Sequence, residues 1–139
     1  MLAILLLMAA LCFCDKNELI SPDPSISVYD FPADSLLLQI KYGNKAIVDN
    51  KLEITFNGEI VDSRCPMDVV CVWAGDGGIV LHLKKASEQT TTSLHTNLTP
   101  KETVFGGYII KLKELNPYPK SNVKLKKEDY SVLLTLKRL

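Results

Sequence analysis

The sequence carries no excess charge of either sign: 16 Lys and Arg stand against 16 Asp and Glu, for a formal net charge of +0. Nucleic-acid binders displace counterions with a basic surplus, so no nucleic-acid partner is expected. Histidine is scarce, with only His82 and His95. A zinc site built on Cys65 and Cys71 would need two further ligands, and neither His stands at a metal-ligand spacing, so no metal or other cofactor is expected. A Ser-His-Asp set can be written down from Ser63, His82 and Asp76. No nucleophile-elbow motif supports it, and the chain reads as a non-enzyme with no catalytic residues. Gly and Pro are also few, at 7 each beside a 47% apolar fraction, which argues against a disordered chain.

Long apolar runs are missing too, except at the start. Residues 1–13 read MLAILLLMAALCF, and polarity switches abruptly at Cys14-Asp15-Lys16-Asn17-Glu18. A dozen apolar residues suit the h-region of a signal peptide and fall short of the ~20 that span a bilayer as a helix. No Lys or Arg precedes the run; either the α-amino group supplies that charge or the true start lies upstream. Cys14 at the polarity switch resembles the cleavage and lipidation position of bacterial lipoproteins, with Leu11 at the usual Leu position. Phe13 departs from the small residue usual before that Cys, and Cys12 is a second candidate. The resemblance implies export to the cell envelope and a lipid anchor at Cys14 in a bacterial membrane. Ordinary secretion and an uncleaved anchor are the alternatives.

Residues 14–34 hold Pro22, Pro24 and Pro32 among Ser and Asp, and are read as a tether with a possible short pairing stretch at 25–29. From residue 35 to 139 the pattern is β. Leu36, Leu38, Ile40 and Tyr42 alternate, as do Leu52, Ile54 and Phe56, and then Ile79, Leu81 and Leu83. Asn57-Gly58 reads as a hairpin turn returning through Ile60 and Val61. Val70, Val72 and Ala74 read as a short strand, and the Thr-rich residues 90–96 as an edge strand. Residues 108–115 and 130–136 complete seven or eight short strands. The expected fold is all-β, an antiparallel sandwich, Ig-like or an open barrel, with little helix.

Two of the four cysteines lie in the leading segment, leaving Cys65 and Cys71 as the pair in the body. In an oxidising compartment they are expected to form a local disulfide, with Trp73 capping the core beside it. The run Asp62-Ser63-Arg64-Cys65-Pro66, five residues, then Cys71-Val72-Trp73-Ala74-Gly75 resembles a group of small bacterial lipoproteins and secreted domains. Residues 115–119, Leu-Asn-Pro-Tyr-Pro, are similar to that group's Pro-rich segment before the last strand. Asp76 departs from the Glu more usual there. The resemblance implies an all-β sandwich in an exported compartment and brings no catalytic residues.

Asp62 and Arg64 flank a turn: Asp62 is expected to accept backbone N–H bonds there, and Arg64 to pair with it or another carboxylate. The domain as a whole is read as having a binding or structural role toward an envelope or extracellular protein or a glycan, with the loop of Asp62, Arg64 and Trp73 as the candidate binding surface. One such use is inhibition of an extracellular protease, because a small disulfide-closed loop is pre-organised. His82 and His95 are expected to be solvated. Asn97-Leu98-Thr99 fits the N-glycosylation pattern, but Pro100 disfavours its use. Lys120, Lys124, Lys126 and Lys127 read as a solvated loop, with contact to anionic headgroups as the alternative.

Overall fold

The computed structural model describes residues 23–30 and 34–139. The expected signal segment 1–13, Cys12, Cys14 and much of the tether lie outside the described residues. Ten strands follow in chain order: β1 Ile26–Tyr29, β2 Ser35–Lys41, β3 Lys45–Val48, β4 Leu52–Thr55, β5 Ile60–Asp62, β6 Gly77–Lys85, β7 Glu88–His95, β8 Glu102–Phe105, β9 Tyr108–Asn116 and β10 Ser131–Arg138. One sheet runs β1-β3-β4-β6-β5, with β7 also pairing β6; the other runs β2-β10-β9-β8. All pairs are antiparallel except β1 with β3. Among the described residues there is no α-helix, only a 3-10 turn at Lys127–Asp129. The fold is the β-sandwich that the alternating pattern predicts.

Alternation explains the core. In β6 the side chains of Ile79, Leu81 and Leu83 point inward, with His82 and Lys84 outward. Leu38 and Ile40 of β2 lie opposite Leu134 and Val132 of β10, and all four are buried. Each such Leu or Ile contributes roughly 1.5–3 kcal/mol by leaving water. The register shifts where Leu133 and Leu134 of β10 face Glu114 and Leu112. That bulge accommodates Lys113 as an extra residue, so that Leu112 and Leu115 both reach the core although three positions apart.

Three strand expectations need correction. Asn57-Gly58 is not a hairpin turn, because β4 and β5 do not pair with each other. Both lie along β6, at residues 82–85 and 77–79. Between them the chain bulges away and packs so closely that a Cβ on Gly58 would sit 2.6 Å from Val80. Val70 and Val72 belong to no strand; they stand on a projecting loop. Two strands, β3 and β8, were not expected from the pattern.

The connections divide unequally between the two ends of the sandwich. At one end β3 turns into β4 through Asp49 and Asn50, both at φ 52. There β6 also turns into β7 after Lys85, and β8 into β9 through Gly106-Gly107. At the other end lie residues 63–76 between β5 and β6, 96–101 after β7, and 117–130 before β10. We call this second end the loop end. The chain also enters β1 there, because Ile26 pairs Lys45, Lys45 pairs Thr55, and Thr55 pairs His82 on the way back to Gly77.

Candidate functional site

The loop end is built from the motif Asp62 to Asp76. Past the sheet edge β5 and β6 continue as a short two-stranded stalk: Ser63 N–H donates to Asp76 O at 2.8 Å and Cys65 N–H to Ala74 O at 2.8 Å. Gly75 sits in this stalk at φ 70, where a Cβ would lie 1.9 Å from Ser63 O, so no other residue fits without a backbone shift. Cys65 and Cys71 form the expected disulfide, with Cα atoms 5.9 Å apart. The bridge closes a tip of five residues, 66–70, on top of the stalk.

Beneath the tip the polar groups are buried and satisfied. Arg64 is 5% exposed. It holds Asp62 through Nε at 2.7 Å and Nη2 at 2.6 Å, a two-point pairing that matches a guanidinium fork to a carboxylate. The same guanidinium donates to Leu115 O at 2.5 Å and Pro117 O at 3.0 Å, tying the motif to the Pro-rich segment. Tyr118 lies over it with the ring centroid 4.7 Å from Cζ. Tyr130 donates its hydroxyl to Asp62 at 3.1 Å. Burial pushes the Asp62 carboxyl up, but the hydrogen bonds and charge of Arg64 outweigh it and hold it below the usual range. Burial and the Asp62 charge push the Tyr130 hydroxyl up to about 12.

A second carboxylate fixes the other side of the stalk. Asp76 receives Asn97 N–H at 2.8 Å and Leu98 N–H at 3.1 Å on one oxygen, and His95 Nδ1 lies 2.7 Å from the other. Asn97 in turn donates its side-chain amide to Gly75 O. Burial raises the Asp76 carboxyl, yet these bonds prevail and hold it at about 2. The expected pairing of Asp62 with Arg64 is therefore present, while His95 is not the solvated residue expected. His82 bonds Thr91 on the outer sheet face, beside a shallow depression of ≈ 580 Å³. Ser63 Oγ bonds the Asp76 backbone, so Ser63, His82 and Asp76 do not come together as a catalytic set. Among the described residues no group of three or more His, Cys, Asp or Glu is placed to hold a metal.

The tip itself reverses one expectation. Trp73 does not cap the core; it is 61% exposed. The physical reason is the stalk, which carries residues 66–73 clear of the sandwich, while Arg64, Leu115 and Tyr130 already fill the position beneath. Val70 and Val72 are wholly exposed, and Met67 is 61% exposed. The tip is braced against the Pro-rich loop by Met67 N–H on Pro119 O at 3.0 Å and by two Ser121 bonds to Asp68. It is thus an apolar surface on a rigid, internally satisfied base. Arg64, which an inhibitor would present to a protease, is enclosed within that base. The signal for the exposed tip was in the sequence: Met67, Val69, Val70, Val72 and Trp73 crowd a span that a five-residue cysteine spacing cannot fold into a sheet.

The fold and site together define the chain as a β-sandwich bearing a disulfide-closed apolar loop. Comparisons with protein-family models, curated proteins and solved structures gave no match.

Proposed function

We propose that this is an exported, lipid-anchored β-sandwich that acts as a binding module, without catalysis of its own, through the loop closed by Cys65 and Cys71. The observation that carries the reading is the outward display of Val70, Val72 and Trp73 on a base whose polar groups are all paired. Apolar side chains held out from a stiff frame lose little entropy on binding, and exposed Trp is common in interaction sites. The disulfide accords with an oxidising compartment. The leading segment supports the anchor: residues 1–13 are apolar and Cys14 stands at the switch to charge.

The test is the intact mass of the protein from the membrane fraction of a bacterial host, before and after reduction with alkylation. The expected chain begins at Cys14, carries acyl groups, and gains two alkyl groups only after reduction. A chain cut elsewhere and without acyl groups would overturn the anchored reading.

A further inference from the structure

We infer that the loop tip docks into the lipid bilayer to which the chain is anchored, so that the sandwich lies against its membrane by a second, non-covalent contact. The inference rests on the anchored reading above and adds the occupant of the loop. Three observations select a bilayer over a protein groove.

The first is position. The chain enters β1 at Ile26, at the same end of the sandwich as the 63–76 and 117–130 loops. Eight residues, 15–22, separate Cys14 from Asp23, where the described chain begins. Fully extended they reach about 30 Å, so an anchor at Cys14 holds the loop end near the surface.

Composition of the tip is the second. Met67, Val70, Val72 and Trp73 are all exposed, and Asp68 is the one charged side chain in residues 66–73. Aliphatic side chains with a Trp at their edge match the acyl-to-headgroup boundary, where an indole keeps its ring in the apolar layer and its N–H among headgroups.

The third is the charge around the tip. The bracing loop 117–130 carries exposed Lys120, Lys124, Lys126 and Lys127 against Glu128 and Asp129. Lys120 lies near enough to Asp68 to help hold its carboxyl low, behind the larger effect of the Ser121 bonds. Asp62 is neutralised by Arg64, and Asp76 is met by His95 and backbone N–H groups. With Asp68 counted beside Glu128 and Asp129, three carboxylates stand against four lysines, so the rim keeps a small basic excess around the apolar side chains, which complements an anionic lipid surface.

Trp73 is the only tryptophan, so its fluorescence reports this contact without a label. The full chain, purified from membranes, is reconstituted into vesicles of phosphatidylcholine with or without phosphatidylglycerol, and brominated acyl chains serve as quenchers. Trp73 emission is expected to shift to the blue and to be quenched, more strongly with phosphatidylglycerol. Val70→Asp with Val72→Asp should abolish the quenching while the chain still sediments with vesicles. Removing the charges of Lys120 and Lys124 should weaken loop insertion roughly fivefold per lysine in the anionic vesicles. An unshifted, unquenched Trp73 on vesicle-bound protein would overturn the inference, leave the anchor standing, and return the loop to a protein partner. Quenching in a chain whose mass shows no acyl group would uphold the docking and overturn the anchor. An unchanged unfolding midpoint checks that the tip variants are folded.

Discussion

Each end of the sandwich contains an aspartate, an arginine and a tyrosine arranged in the same way. At the loop end Asp62 is held by Arg64 at 2.6 Å and by the Tyr130 hydroxyl at 3.1 Å. At the turn end Asp49 is held by Arg138 at 2.7 Å and by the Tyr108 hydroxyl at 2.8 Å. Distances alone do not separate them, but burial does: the arginine side chains are 3% and 53% exposed respectively. Water screens the second pair and competes for its hydrogen bonds, whereas the first has no substitute partners. The same three residue types therefore make a structural base at one end and a surface contact at the other.

The widest split should come from removing each arginine. Arg64→Ala leaves a buried carboxylate and the carbonyls of Leu115 and Pro117 without their donor, and should cost about 3–5 kcal/mol by denaturant unfolding. Arg138→Ala should leave the unfolding midpoint close to that of the parent. Comparable losses would break the contrast. Replacing Asp62 and Arg64 together by apolar residues should recover only part of the loss, because the two carbonyls remain unpaired.

Acid should act on the loop end as well. The Asp76 carboxyl is held at about 2 against an ordinary 3.8, so the folded state prefers its charged form. Its stabilisation, about 2 kcal/mol, is complete above roughly pH 4 and falls away as pH drops through the folded value. Asp76→Asn should flatten unfolding free energy against pH in that window; a slope equal to that of the parent would remove Asp76 as the cause. Opening the disulfide by Cys65→Ser with Cys71→Ser should lower the unfolding free energy by about 2 kcal/mol, given the short loop it closes. The smallest effect belongs to the tip. Val70→Ser and Val72→Ser should leave stability within about 0.5 kcal/mol, since neither side chain touches the core.

The sandwich was legible because strands with one wet face write themselves as alternation, and Ile79 to Lys84 or Leu36 to Tyr42 do so clearly. β3 was lost because Ala46 and Val48 make too short a pattern, although Asp49-Asn50 marks a tight turn directly after it. Alternation also misled: Val70, Val72 and Ala74 have the strand period, but nothing in that period shows that a disulfide lifts the segment out of reach of a partner strand. In the candidate site, the pairing of Asp62 with Arg64 followed from their proximity in sequence. The partner of Asp76 did not, because His95, Asn97 and Leu98 are brought to it only by the long pairing of β6 with β7.

The lone parallel pairing among the described residues, β1 on β3, has a mechanical meaning under the anchored reading proposed above. β1 begins at the loop end and runs away from it, so a pull on Ile26 is directed along the strand and not away from its neighbour. Such a load shears the bonds of β1 together, whereas a pull at right angles would open them singly. Forced separation depends on the barrier to that concerted step, so under that reading the four residues of β1 resist a pull together and not one by one.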